Sequence, residues 1–518
     1  TASPGQTICV YNGIYNEALY INKSITLKAA STPVIQGSQL FTTNYGTREA
    51  VIFVENAANV VLEGLDIEGL GFGPGVPKSY GVIYEESNGI IRNCIVSTNM
   101  IGDMYDVGIA AWDSSNLVVD SCTVKNFGRI GVFYYNGCNG GVYDSEIEGQ
   151  VYNDENYVNY GIEVEPWNGP CNIEIIGNDI YNCDNIHPSP LWSSAGIVID
   201  GWRAFYDLPA STVEILNNEI HDNYYGIEVV ANALSYAHYN NIYNNREYGV
   251  IQDPDYASNN VTFDARFNWW GDSSGPTHSS NGGGAGGRIS DHVDYSPWLG
   301  FVVGTSPMTW HVNPTGTIQE AIDEASAGDT IVVHDGTYNE HIVVNKPLTI
   351  TSASLPIIDG GASGNCITVS ANNVVINGFE IRNGYNGITG QTSGSTFSNN
   401  IIHDNLNIPG SAGVGILLWG DNDNNIITGN EIYNNDRQGI FVGYSTTAKI
   451  STGNIISYNT IHNNGLYRYA NGPDASEYGI ELWCADNNVI KYNEIYDHDD
   501  WFPYGGTFDF AQGIYLCD

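Results

Sequence analysis

Four residues whose types can do chemistry stand at one repeated place. Each is the fourth residue after a glycine in a short phrase. The phrases are Val107-Gly-Ile-Ala-Ala-Trp112, Ile130-Gly-Val-Phe-Tyr-Tyr135, Tyr160-Gly-Ile-Glu-Val-Glu165 and Ala195-Gly-Ile-Val-Ile-Asp200. A pair of carboxylates is the equipment of glycosidic-bond cleavage, one giving a proton while the other attacks or activates water. On neighbouring strands ~4.8 Å apart, Glu165 and Asp200 fall near the roughly 5–5.5 Å separation used by retaining glycosidases. Trp112 and Tyr135 beside them offer flat faces for a sugar ring. Glu163 and Glu228, second after their glycines, add acid to the strip, and Val230 and Asp253 continue its fourth-place series. Counted this way, no Arg or Lys joins the strip, and removing a proton next to a carboxylate needs a basic partner. The first expectation is therefore a solvated acidic face, with catalysis as the alternative.

The elements that position these residues are repeats. The glycine phrase recurs from Gly81 to Gly249 and again from Gly387 to Gly513, at spacings between 23 and 40 residues. A second phrase follows many of them, as in Ile215-Leu-Asn-Asn-Glu-Ile-His-Asp-Asn223 and Ile427-Thr-Gly-Asn-Glu-Ile-Tyr-Asn-Asn435. Apolar residues alternate with polar ones in both, which is the period of a strand with one face in and one out. Asn at the close suits a turn, because it tolerates left-handed backbone and bonds locally. Stacked coil on coil, Asn126, Asn223 and Asn245 are expected to form one ladder, and Asn405, Asn435 and Asn464 another. His221, His403 and His462 share a place two residues before such an Asn, which argues for a structural role. Fixed strands joined by loops of variable length describe an all-β solenoid.

The chain also repeats on a larger scale. Gly328-Asp-Thr-Ile-Val-Val-His-Asp-Gly-Thr-Tyr-Asn-Glu340 copies Gly5-Gln-Thr-Ile-Cys-Val-Tyr-Asn-Gly-Ile-Tyr-Asn-Glu17. This predicts two tandem units, 1–303 and 304–518. The first ends in a closing coil at about 265–300, and the second begins with a capping helix over 317–326. The run Ile318-Gln-Glu-Ala-Ile-Asp-Glu-Ala-Ser-Ala-Gly-Asp-Thr-Ile331 resembles the capping helix and first strand of the pectin-lyase-like superfamily. Asn268-Trp-Trp-Gly271 and Ser296-Pro-Trp-Leu299 are similar to pieces of archaeal and bacterial β-helix surface proteins. The resemblance implies two right-handed parallel β-helices in tandem. It leaves function open, since the superfamily includes lyases, hydrolases, epimerases and structural proteins. The Asn-Thr-Asp, Gly-His-Gly and Arg-Ile-Lys signatures of polygalacturonase-like enzymes are missing, as is the Asp-Pro-His-Glu of alginate epimerases, which Asp253-Pro-Asp255 only touches.

Charge narrows the partners. Fifty-eight acids against 17 bases give a net charge of −41. Such a field repels nucleic acid and favours cations, so no cofactor is expected and Ca²⁺ is the one candidate ion. No run of 18 apolar residues predicts a membrane span. Nine cysteines suggest an oxidising compartment. Cys94 with Cys122, and Cys138 with Cys171, fall at equal places in successive coils, within the Cα spacing a disulfide needs. Cys9 and Cys517 face outward on the first and last strands, where both ends of the stack look bare. The resulting expectation is an extracellular structural protein, joined head-to-tail to its own copies through Cys9 and Cys517. That arrangement resembles archaeal surface layers and tubular sheaths, those of methanogens among them. The alternative is a polysaccharide lyase, hydrolase or epimerase, or a protein that binds cell-surface glycans.

Overall fold

Each coil of the chain contributes three strands, and equal strands of successive coils pair in parallel. The computed structural model describes residues 2–69, 78–98, 106–151, 158–185, 193–200, 211–230, 234–252, 262–352, 354–406, 413–444, 450–465, 478–498 and 512–517. They fall into two compact units, Thr1–Val303 and Gly304–Asp518. In the first unit an 11-stranded, a 10-stranded and a 9-stranded sheet run along the stack. In the second, two 7-stranded sheets and a third long one do the same. Among the described strands the pairing is parallel, except where Gln39–Thr43 folds back antiparallel on Gly46–Glu55.

The alternation read from sequence fills the interior. Ile109, Val132, Ile162, Ile197, Ile227 and Val250 are successive partners in the 10-stranded sheet, all essentially without exposure. Full burial of each such side chain is worth roughly 1.5–3 kcal/mol. A one-residue slip would turn the column outward, so the column fixes the register. The recurring glycine has a steric reason. A Cβ on Gly131 would stand 2.5 Å from the Gly161 carbonyl oxygen, and one on Gly161 2.5 Å from that of Gly196.

Turns carry polar ladders. The Asn178 main-chain N–H donates to Asn218 Oδ1 at 2.9 Å, Asn218 to Asn240 at 2.9 Å, and Asn240 to Asn268 at 2.8 Å. Each Nδ2 donates onward to the next Oδ1 and back to a carbonyl such as Val142 O, so these buried amides are satisfied. Asn405, Asn435 and Asn464 form the expected ladder. Asn223 and Asn245 do too, but the coil before them supplies Cys183. Asn126 takes the left-handed place one residue earlier, at φ 54°, where Asp222 and Asn244 stand in later coils.

The helix spans Ile318–Glu324 with Thr317 as N-cap, its hydroxyl accepting from the Glu320 N–H at 3.2 Å. Glu340 accepts from the Ile318 and Gln319 N–H groups as well. In the closing coil Trp270 and Trp298 are fully buried. Gly275, at φ +81°, lies against the Trp298 ring where a Cβ would come within 2.6 Å.

The paired cysteines are adjacent but not bridged. The Cys94 and Cys122 thiols hydrogen-bond to one another, as do those of Cys138 and Cys171. Within the chain no disulfide joins them, so the Cys94–Cys122 and Cys138–Cys171 bridges expected are not formed. Both pairs belong to turn ladders in which a thiol does the work of a hydroxyl. Ser145 Oγ accepts from the Cys122 N–H at 3.0 Å, and Ser211 Oγ from the Cys171 N–H at 3.1 Å. Cys9 is exposed on Thr7–Val10, and Cys517 is half-buried beside Tyr515 on Gln512–Cys517.

Candidate functional site

The outward face of the 10-stranded sheet gathers the strip predicted from sequence. Trp112 pairs with Tyr135, and Tyr135 with Glu165, in register. Asp200 follows in the next coil, its N–H bonded to Val164 O at 2.9 Å. Oxygens of Glu163, Glu165 and Asp200 lie within 4.8 Å of one another. Val230, in the coil after Asp200, is buried, and Asp253 lies outside the described residues.

The strip is covered, which the sequence reading did not anticipate. The hairpin of Gln39–Thr43 and Gly46–Glu55 leans its tip over this face. The Asn44 N–H donates to Glu85 Oε1 at 2.9 Å, and Asn44 Nδ2 to Asp113 Oδ2 at 2.9 Å. The Tyr45 hydroxyl bonds Asp113 and accepts from Asn136 Nδ2 at 3.1 Å. Its ring stands edge-on to Trp112 at 5.5 Å and to Tyr135 at 5.1 Å. Trp112, also against Tyr80 at 5.1 Å, is only 2% exposed. It forms a wall and is not the open sugar platform expected of it.

Beneath this cover lies a cavity of about 260 Å³. Arg48, Lys78 and Arg129 line it together with Glu163 and Glu165. This corrects the expectation that no basic residue joins the strip. Arg48 arrives on the hairpin, while Lys78 and Arg129 lie three and two residues before a repeat glycine. A count that starts at the glycine and runs forward reaches none of them. One signal was available, since Arg129-Ile-Gly-Val-Phe133 has a close copy in Arg437-Gln-Gly-Ile-Phe441.

The electrostatics of the covered strip follow from burial. Burial pushes Glu165 up to about 9, helped by Glu163 and Asp200 and opposed by Arg129 and Lys78. Glu163, 4% exposed, is also raised by burial, against the pull of Arg129 and Lys78. Lys78 is lowered by burial, then by Arg48 and Arg129, while both glutamates pull it back. Burial raises Tyr80 to about 12 and Glu85 to about 7. Lys78 and Glu165 are thus both shifted towards their neutral forms in one cavity, the kind of perturbation that clusters at functional sites. Glu163 Oε2, Arg48 Nε, Arg129 Nε and Trp112 Nε1 are buried without a hydrogen-bond partner. The three carboxylates have the oxygen chemistry a divalent cation such as Ca²⁺ takes.

Histidines stand on another face. His221 stacks between Tyr181 at 5.3 Å and Tyr243 at 4.9 Å, with Asp179 at 3.0 Å and Asp222 at 2.7 Å. His403, Tyr433, His462 and Tyr496 stack likewise at 4.8–5.1 Å.

Coils of this kind, with three parallel sheets and a face that presents side chains in register, define a β-solenoid. The chain belongs to the right-handed β-helix family, whose model, "Right handed beta helix region", matches residues 24–208 and 346–516. Over 91 residues it is 46% identical to a cell surface glycoprotein of Methanothermus fervidus, which is 17% of this chain and 15% of that protein. Among solved structures it is similar to the PL6 family alginate lyase AlyGC, at 12% identity and TM-score 0.21, covering 99% of this chain and 98% of that one. It is also similar to PfbA, a surface adhesin of Streptococcus pneumoniae, at 9% identity and TM-score 0.27, covering 98% and 85%. Among the described residues no helix is long and apolar enough to cross a membrane.

Proposed function

We propose that this is a cell-surface protein whose first unit acts on an acidic polysaccharide by β-elimination. The observation that carries the reading is the convergence of Arg48, Lys78 and Arg129 with Glu163 and Glu165 in one covered cavity. A uronate chain needs cations for its carboxylate, a base for the proton beside that carboxylate, and an acid for the leaving oxygen. Arg48 and Arg129 supply the first, because a guanidinium pairs with a carboxylate through two bonds. Lys78, with its lowered pKa, is the base. Glu165, protonated up to about pH 9, is the acid. The proton leaves C5, the C4–oxygen bond breaks, and the leaving oxygen takes the Glu165 proton, so the product carries a C4–C5 double bond. A divalent cation at Glu163, Glu165 and Asp200 would compete with that proton. The surface location is supported by the likeness to the Methanothermus glycoprotein.

The test is incubation with polygalacturonate and with alginate, followed by ultraviolet absorbance of the unsaturated product. The wild type is expected to produce it, and Lys78→Ala to lose turnover while keeping most of its binding. A wild type that neither binds nor cleaves these polymers defeats the reading. The same glycoprotein likeness favours a second role, as a building block of a surface layer, with Cys9 and Cys517 as candidate links between copies. Electron microscopy of native material, and non-reducing gels of Cys9→Ser, test that role.

A further inference from the structure

The second unit repeats the site in three successive coils. Val414-Gly-Ile-Leu-Leu-Trp419 matches Val107-Gly-Ile-Ala-Ala-Trp112, Arg437-Gln-Gly-Ile-Phe441 matches Arg129-Ile-Gly-Val-Phe133, and Tyr478-Gly-Ile-Glu-Leu-Trp483 matches Tyr160-Gly-Ile-Glu-Val-Glu165. The pairing agrees. Phe441 is the partner of Glu481 as Phe133 is of Glu163, and Trp419 pairs with Gly443 as Trp112 does with Tyr135.

The differences all remove charge or cover. Trp483 replaces Glu165, Gly443 replaces Tyr135, and the place of Lys78 is taken by Gly384. Trp419 is 43% exposed where Trp112 is 2%. Its ring stacks on Phe441 at 5.3 Å, and Phe441 meets Trp483 at 5.9 Å. Beside Phe441, in register with it, stands Glu481, one of a polar pair. Gln438 Nε2 donates to Glu481, which is 1% exposed, and that bond leaves Gln438 Oε1 buried without a partner. Gln438 is 3% exposed and stands where Ile130 lines the first cavity.

We infer that unit 2 carries a binding site for a neutral sugar, which stacks on Trp419 and hydrogen-bonds to Gln438. An exposed indole on an aromatic backing is a rigid platform for the C–H face of a pyranose. A buried amide oxygen with no donor is what a sugar hydroxyl satisfies. Arg437 keeps the place of Arg129, but its charge is set against that of Glu481, and among the described residues the site lacks the lysine and the second acid that would complete a proton transfer. It binds and does not cleave. The inference rests on register and burial inside unit 2, and it stands whether or not unit 1 is a lyase.

The experiment is calorimetric titration of the whole chain with neutral gluco-, manno- and xylo-oligosaccharides, and in parallel with oligogalacturonate. At least one neutral series is expected to bind. Trp419→Ala should weaken that binding at least roughly tenfold, which is about 1.4 kcal/mol, and leave oligogalacturonate binding unchanged. Trp419→Phe, which keeps a flat ring, should retain most of the neutral affinity, and Trp112→Ala all of it. Three outcomes overturn the inference: no neutral series binding the wild type, Trp419→Ala binding as the wild type does, or oligogalacturonate competing for the same site.

Discussion

Two outward faces of the first unit both carry acids in register beside tyrosines and treat them in opposite ways. On the open face, His221 lies between tyrosines with Asp179 and Asp222 at its two nitrogens, and those carboxylates raise its pKa. On the face of the 10-stranded sheet, three carboxylates crowd within 4.8 Å of one another, and Glu165 is forced towards its neutral form. Strand geometry is alike on both. What differs is the hairpin tip at Asn44 and Tyr45, which removes water from one face and not from the other. A row of acids in register becomes a site when something covers it, because a charge that water no longer solvates must find a partner or a proton.

The strongest way to break the contrast is to remove one of the three cations under the cover. Arg129→Ala leaves Glu163 buried beside a hole. It removes the charge that most offsets the burial of Glu163 and should cost roughly 1–3 kcal/mol of unfolding free energy, the scale for a buried polar group left uncompensated, read as a fall in the urea midpoint. An equal change from a substitution on the open face, such as Asp179→Ala, would show that cover does not matter.

Glu165→Gln sharpens the same point through pH. The folded pKa of about 9 lies above the unfolded value of about 4.3. The folded state therefore holds an extra proton across that window, and the wild type loses stability as pH rises through it. Glutamine cannot ionise, so the variant should become increasingly more stable than the wild type from about pH 5 to about pH 9, by a few degrees in Tm at the alkaline end. In a Tyr45→Ala background the gap should shrink, because the uncovered Glu165 returns towards its ordinary range.

The smallest effect belongs to the open face. His221→Phe preserves the stack with Tyr181 and Tyr243 and removes the ion pairs. The raised pKa means the histidine's contribution is complete below about pH 6.5 and is lost as pH climbs through the folded value. The variant should be at most about 1 kcal/mol less stable at acid pH and equal to the wild type at alkaline pH, in denaturant titrations at each pH.

The solenoid and its strip could be read from the chain because they are periodic. Alternation placed Ile109 and its column inside, and equal spacing from glycine placed Trp112, Tyr135, Glu165 and Asp200 on one face. The cavity could not be read that way, because its decisive parts break the period. Arg48 and Tyr45 come from a hairpin inserted into one coil, and no repeat announces where its tip will rest. Lys78 and Arg129 precede their glycines, where the chain is entering the sheet. Asn126 misled by one residue, since left-handed backbone and an inward amide both suit asparagine and neighbour each other in every such turn.

The asparagine ladder of unit 2 makes the molecule divisible. Each N–H, from Phe379 through Asn400, Asn430 and Asn459, donates to the asparagine of the coil that follows, as far as Asn493 among the described residues. The Asn400 amide therefore asks only that another asparagine stand one coil further on, and it meets the same oxygen whether that residue was numbered 430 or 459. Lengths of chain cut from one ladder residue to the next preserve this bond, while a cut of any other length breaks it. A lineage carrying such a ladder can grow or shorten its protein in whole coils, and the distance spanned by its surface becomes a heritable quantity counted in integers.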